Sequence, residues 1–344
     1  MDGYAIRQID WDSGLRSFSI RENIFAGNLY RSEIGKGECY KIMTGAAVPE
    51  CADAIIRRED VAEQTDHIEC SNENVKHFQN ISRRGEDLRK GATICPIPVV
   101  CSPTMIGVLA SIGKYEIAVE RLPHVSIITT GDEIVDVEHP VNPVQIRNSN
   151  SHVLKGLLKR WGILPFSCTH VRDILSEIEA SVHAALVSDI IIICGGVSAG
   201  DADHVPDVLN RLGANKVFHK VAIKPGKPIW FGKFANGPTV FALPGNPLSC
   251  LVTFKLFIEC FLSYSFGIAE PLQLSLPLKG TRSKKSPLDE FFPVKISGSP
   301  SYFEIIPFNG SGDITAALYA DAIARHPCAI SELSNGDTIE AYPL

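Results

Sequence analysis

Residues 189–205, DIIIICGGVSAGDADHV, confine the fold more than any other stretch of the chain. A half-exposed strand alternates polar and apolar residues. An uninterrupted β-branched run suits a strand covered on both faces, as in a parallel sheet between helices. Gly195, Gly196 and Gly200 then permit a sharp turn and close approach to a ligand, with backbone N–H groups facing an anion. Asp201 and Asp203 follow. Carboxylates beside an anion site suggest a metal ion between the two. An ordinary strand-to-helix turn, with Asp203 as N-cap, accounts for the same residues without a ligand.

Strand and helix patterns alternate around this stretch. Strands are expected over residues 124–130, 163–171, 189–194, 217–223 and 239–243, and helices over 149–161, 174–187, 205–212 and 247–262. That order marks a parallel α/β sheet. Residues 1–98 read as short strands, among them 40–43 and 54–57, followed by a helix over 104–115 and a strand over 117–120. Beyond Gly267, strands at 272–278, 291–296, 302–307 and 337–342 outline a small β domain. A chain of 344 residues exceeds one compact core, so several domains are expected.

In open parallel sheets, ligands sit beyond the carboxyl ends of the strands. Three glycine-bearing loops each follow a strand: Gly131-Asp132-Glu133, the Gly195 loop, and Pro244-Gly245-Asn246-Pro247; Asp173 follows a fourth. All should share one edge. Pro247 also opens a helix, a position suited to proline and to anion binding. Lys220-Val-Ala-Ile-Lys224-Pro-Gly-Lys227 crosses the same edge. Read as a strand, it points Lys220 and Lys224 the same way, although solvated lysines with buried stems fit too. Backbone donors, lysines and carboxylates together suit a phosphate-bearing polyanion handled with a divalent cation. Gly196-Val-Ser198-Ala-Gly200 also fits the G-x-S-x-G nucleophile elbow, with Asp207 and His219 or His326 as partners. Against a serine hydrolase stand the missing HGGG-type segment and the acids beside a would-be oxyanion.

With 45% hydrophobic and 21% charged residues, the chain reads as soluble and globular, and a net charge of −6 argues against nucleic acid as partner. The longest apolar region, 250–262, is broken by Lys255 and Glu259 and falls short of a membrane span. The N-terminus lacks signal-peptide architecture, so a cytoplasmic location is expected. The ten cysteines form no C-x-x-C pair and the ten histidines are scattered, which favours buried thiols over zinc or disulfides.

The motifs MDGYAIR, IMTGAAVPECADAII, RRGEDLRKG, TTGDEI, IRNSNS, CGGVSAGDADHV, KVAIKPGKP and FALPGNPLSCLVTF together resemble the molybdopterin molybdenumtransferases, the MoeA family that includes the gephyrin E domain. They run in family order over nearly the whole chain. The resemblance implies a multidomain α/β plus β fold. An elongated, mainly β domain covers 1–83, and a remnant of the linker and dimerisation subdomain covers 84–121. A MogA-like α/β molybdopterin-binding domain covers 122–268, and a small β-barrel-like domain covers 269–344. It further implies a cytoplasmic homodimer with the active site between subunits. The implied reaction inserts molybdate into adenylylated molybdopterin with Mg2+-dependent release of AMP. Besides the pterin nucleotide, the molybdopterin adenylyltransferase and recipient molybdoenzymes are the partners implied; membrane and nucleic acid are not.

Carried over motif by motif, Asp2 and Asp87 match functional acids contributed by the neighbouring subunit. Glu133, Asp173 and Asp203 match those of the pterin domain and are the implied Mg2+ ligands. Lys220 and Lys224 match its basic pair, and Ser311 a serine of the last domain. Binding of the pterin substrate falls to Thr130, Gly131 and Asp132, to Gly195, Gly196, Val197, Ser198 and Gly200, to Pro225, Gly226 and Lys227, and to Pro244, Gly245, Asn246, Pro247 and Ser249. There are three departures. The family carries residues ahead of MDGYA, including helices of the subdomain near the dimer axis, and this sequence begins at that motif, which reads as a truncation, a late start codon or an unusual member. Its usual R-x-E-F-x-R segment reads Leu288-Asp-Glu-Phe-Phe-Pro293, and its DSN triplet reads Asn148-Ser149-Asn150. A non-catalytic scaffold of the same fold, the preceding adenylyltransferase step, and tungstate in place of molybdate are the competing readings.

Overall fold

The isoleucine run forms strand Ile190–Cys194 of the computed structural model, which describes residues 2–30, 33–71, 74–197, 203–269 and 271–344. Every residue of the strand is buried. Ile190, Ile192 and Cys194 face one apolar cluster with helices Ser149–Arg160 and Pro247–Thr253, while Ile191 and Ile193 face another with Leu175–Ala185 and Val205–Arg211. Two covered faces explain why the strand carries no polar residue. Each isoleucine so buried contributes about 1.5–3 kcal/mol.

Val125–Thr130 and Thr239–Leu243 flank this strand in parallel, and Ser167–Val171 lies parallel beyond Val125–Thr130. The sheet is nevertheless mixed, where an all-parallel one is expected from the sequence. Trp230–Phe234 and Ala214–His219 complete its other edge antiparallel. Their connections lack the dozen or more residues that a parallel crossover needs.

The C-terminal strands close on themselves. Asp289–Ser297, Tyr302–Ile305, Leu274–Lys279, Thr338–Pro343 and Ala322–His326 pair in that order, and the last returns to the first. Closure leaves no edge among these strands, and Leu278, Phe292, Val294 and Phe303 fill the interior. Ile223–Lys224, from the α/β region, adds in parallel to Asp289–Ser297 and so fastens barrel to sheet. These elements belong to one compact unit, Pro98–Leu344.

The other unit, Met1–Ile97, is built on a sheet in which Gly3–Ile6 lies between Ala54–Arg57 and Glu38–Ile42. Tyr4 and Ile6 point into one of its apolar clusters and Ala5 into the other. The segment 84–121, expected as a linker remnant, divides between the two units. Its helix, Pro103–Ser111, is capped by the Ser102 hydroxyl and has no buried residue. Residues 117–120 are not a strand, contrary to expectation: Ile117 and Val119 stand exposed with no partner strand among the described residues.

Pro247–Thr253 continues through a π-helical turn, Phe254–Ile258, into Glu259–Phe266. The Thr253 hydroxyl donates to the Ser249 carbonyl at 2.7 Å, just before the ladder widens. Lys255 and Glu259 meet at 2.6 Å with both side chains under one-tenth exposed, so the two charges that interrupt the apolar sequence neutralise each other inside. The 20 residues are long and apolar enough to cross a membrane, but 67% of the apolar window is buried in this core.

Asp189 anchors the start of the central strand. It accepts both guanidinium ends of Arg121, at 2.7 and 3.0 Å, and the His124 N–H at 2.7 Å. The Arg121 bonds hold its carboxyl at about 2, below the ordinary 3.8. Such a group stabilises the fold above pH 3.8, and the contribution disappears as pH falls towards about 2. With the side chain 40% exposed, solvent screening limits it to about 1 kcal/mol. Asp189→Asn is therefore expected to lower the urea midpoint at neutral pH and to narrow its difference from wild type below pH 3, measured by circular dichroism.

Candidate functional site

The four parallel strands end at one edge, and their loops are tied together there. Gly195 has φ +109°, and a Cβ on it would stand 2.4 Å from the Thr130 carbonyl oxygen, so only glycine allows these two loops to touch. The Thr130 hydroxyl donates to Asp173, whose backbone N–H donates to Asp132 at 3.2 Å. Asn150 Nδ2 donates to the Gly245 carbonyl at 2.6 Å. Asn148 Nδ2 donates to Thr129 at 2.8 Å, while its Oδ1 caps helix Ser149–Arg160 by accepting from Ser151 N–H. The NSN triplet thus orients the loops without a carboxylate.

These loops enclose a cavity of about 370 Å³ lined by Thr130, Glu133, Asp173, Gly195, Gly196, Val197, Asp203 and Gly245 to Pro247. Burial raises the Asp173 carboxyl; the Thr130 hydrogen bond opposes this, and the charges of Asp132, Glu133 and Asp203 raise it further. Glu133, Asp173 and Asp203 are thus neighbours, as expected. Among the described residues no three His, Cys, Asp or Glu side chains enclose a metal by themselves. Asp203 is not an N-cap: His204 precedes helix Val205–Arg211, and no side chain caps it. Ser198, Gly200 and Asp201 lie outside the described residues.

The lysines depart from their expected arrangement. Strand Ala214–His219 ends before Lys220, which has φ +67°, is exposed, and lines neither the cavity of about 370 Å³ nor one of about 590 Å³ beside it. Lys224 belongs to a different strand, Ile223–Lys224. Period-two geometry fails because the chain turns between them, with Lys220 N–H bonded to Ile229 O and Val221 N–H to Lys227 O, both at 2.9 Å.

Lys224, Pro225, Gly226 and Lys227 line a second cavity of about 590 Å³, together with Asn246, Ser249, Arg282, Glu290 and Ser311. Gly226, at φ +111°, packs where a Cβ would meet Thr253 Cγ2 at 2.6 Å. Asn246 Nδ2 donates to Ser311 Oγ at 2.8 Å and Leu248 N–H to Ser311 O at 3.0 Å, so the barrel loop docks on the helix start. Pro228, Pro244 and Asn246 line both cavities. They form one crevice, acidic at the sheet and basic towards the barrel. Sequence reasoning missed Arg282 and Glu290. Glu290, 7% exposed, accepts from Arg282 at 2.7 Å and from Lys224 at 3.4 Å.

Asp2 and Asp87 belong to the other unit. Asp2 accepts the backbone N–H and the hydroxyl of Thr44 at 2.9 and 3.0 Å, which hold its carboxyl below the ordinary range. The MDGYA and MTGAAVP loops are joined by that contact. Asp87 is exposed in a turn closed by Glu86, which accepts Arg83 N–H at 2.8 Å. All ten cysteines are free thiols.

Two family models match the chain: a probable molybdopterin binding domain over residues 126–264, and a MoeA N-terminal region (domain I and II) over residues 1–113. The chain is 32% identical to the molybdopterin molybdenumtransferase of Staphylococcus aureus strain Mu50, over 98% of its own length and 83% of that protein's. Over the same shares it is 31% identical to that of Staphylococcus epidermidis strain ATCC 12228. The crystal structure of the molybdopterin biosynthesis moeA protein from Pyrococcus horikoshii OT3 superposes with a TM-score of 0.83 at 26% identity, covering 100% of this chain and 86% of that one.

The glycine corner predicts a contrast. Gly195→Ala meets left-handed backbone strain and a carbonyl at 2.4 Å, and should lower stability by about 2–3 kcal/mol. Gly245→Ala meets only Gly195 Cα at 3.6 Å and should cost less than about 1 kcal/mol. Thermal denaturation of the two variants side by side measures the difference.

Proposed function

The chain belongs to the molybdopterin molybdenumtransferase family and acts in molybdenum cofactor biosynthesis, and from that premise we propose that it inserts molybdate into adenylylated molybdopterin, releasing AMP, in the crevice between sheet and barrel. The observation that carries the reading is the polarity of that crevice, with Glu133, Asp173 and Asp203 outnumbering Arg147 at one end and Lys224, Lys227 and Arg282 outnumbering Glu290 at the other. The glycine loops offer backbone N–H groups to the phosphates. Lys224, Lys227, Ser249 and Ser311 offer donors to a tetrahedral dianion. Asn246, held on Ser311, spans the junction of the two ends.

Mg2+ fits the acidic end. The Asp173 carboxyl is raised first by burial and then by the charges of Asp132, Glu133 and Asp203, and a divalent cation would offset both. Mg2+ is usually held by one or two carboxylates plus substrate phosphates, so a complete protein cage is not required. Glu133, Asp173 and Asp203 would hold it, and it would disperse phosphate charge as AMP leaves.

We assign the active form as a cytoplasmic homodimer. Supporting it is the helix Pro103–Ser111 with its flank, where Ile106, Tyr115 and Val119 are more than half exposed. Asp2 and Asp87 would then serve the crevice of a second copy. Leu288 and Pro293 favour one alternative, a scaffold without turnover.

The test is AMP release from adenylylated molybdopterin on addition of molybdate. The wild-type chain should release AMP and lose that activity with chelator, and Asp173→Asn should reduce turnover at least about 100-fold. A folded dimer that releases none would favour the scaffold. Protons compete with the cation for the raised Asp173 carboxyl, so stabilisation by Mg2+ in thermal melts should shrink as pH falls from neutrality into the range where that carboxyl takes up its proton, above the ordinary 3.8. Stabilisation independent of pH would remove Asp173 from the metal site.

A further inference from the structure

The basic end of the crevice contains an arginine, Arg282, that lies outside the motifs carrying the family resemblance. Where the resemblance expects arginine the chain has Leu288, and Leu288 lines the cavity of about 590 Å³ without a donor to offer. Arg282 reaches the same cavity from the neighbouring strand Arg282–Ser283. Its side chain is 15% exposed and firmly held. Nη2 donates to Glu290 Oε2 at 2.7 Å and Nη1 to His326 Nδ1 at 2.8 Å, while the guanidinium lies 4.4 Å from the centroid of the Phe292 ring. Burial, together with the Arg282 charge, keeps the His326 imidazole below its usual range, so Nδ1 accepts the bond.

The strand register explains this clustering. Lys224 pairs with Glu290, and Glu290 with His326, so the three stand abreast on adjacent strands with Arg282 laid across them. Burial alone would raise the Glu290 carboxyl, but Arg282 and then Lys224 outweigh it and hold it low. Glu290 therefore stays ionised and spends one oxygen on each cation. Two of the five guanidinium N–H donors are used in these bonds, which leaves others for a ligand. Among the described residues lining this cavity, Lys224, Lys227 and Arg282 face one carboxylate, Glu290. Two positive charges remain, the complement of a dianion.

We propose that Arg282 is the oxyanion-specificity residue of this crevice, supplying from another strand the guanidinium that Leu288 cannot. The assignment rests on the molybdate-inserting reading above. Glu290 and His326 are its positioning residues: they fix the plane of the fork, and a fixed fork recognises a tetrahedral oxyanion more sharply than a flexible ammonium does.

The experiment is steady-state AMP release with molybdate varied at saturating adenylylated molybdopterin, on wild type, Arg282→Gln, Arg282→Lys, and Arg282→Gln combined with Leu288→Arg. Arg282→Gln should raise the KM for molybdate at least about tenfold, with a smaller change in kcat, the scale of one lost charge-assisted contact. Arg282→Lys should fall between it and wild type. Restoring arginine at 288 should recover much of the lost affinity, which a purely structural defect would not allow. A molybdate KM unchanged in both single variants, or raised without recovery in the double variant, overturns the assignment. Absence of AMP release by wild type itself would instead refute the underlying reaction. If Arg282→Gln does not fold, Arg282→Lys decides: a wild-type molybdate KM in that variant counts against the proposal.

Discussion

The parallel register of Val125–Thr130, Ser167–Val171, Ile190–Cys194 and Thr239–Leu243 is the constraint on which the rest depends. Because all four strands run the same way, their following loops must emerge at one edge, whatever their separation in sequence. Two-sided burial holds the isoleucine run between the two clusters, and its ends pin the register, Asp189 on Arg121 and the His124 N–H at one end and Gly195 against Thr130 at the other. Gly195 then lets the central loop rest against Thr130, and the acids that follow three of the strands are drawn into a single cavity.

The barrel supplies what the sheet lacks. A parallel sheet edge provides N–H groups and helix starts, but here its own charged side chains are largely acidic. Ile223–Lys224 leaves the α/β region to pair with Asp289–Ser297, and that short ladder brings Lys224, Arg282 and Ser311 to the far wall. A buried carboxylate between two cations costs desolvation, and its hydrogen bonds to both offset that cost. Separation of opposite charges along one groove is the feature a metal–phosphate–oxyanion assembly requires.

Much of this was legible in the sequence, for physical reasons that can be named. Thr239–Leu243 and Ala54–Arg57 were found at their true limits because apolar β-branched runs between turn residues leave little alternative. The acids Glu133, Asp173 and Asp203 could be placed together because each follows a strand. Lys220 falls elsewhere because it is itself the left-handed residue at which the apparent strand breaks, and no glycine stands there to announce the turn. Trp230–Phe234 and Ala322–His326 escaped notice: a glycine and a lysine interrupt the first, and small and charged residues the second. Arg282 lies in KGTRSKKS, a run that reads as a solvated turn. Its burial depends on Glu290 and His326, eight and 44 positions away, and on strand pairing that a local pattern cannot express.

The most direct measurement of the central claim is anomalous diffraction from crystals soaked with tungstate, a heavy tetrahedral dianion of molybdate's shape. A single strong peak is expected at the basic end of the crevice, within hydrogen-bond reach of Lys224 and Ser311. A peak on the outer surface, or an empty crevice beside ordered Lys224 and Ser311, would contradict it.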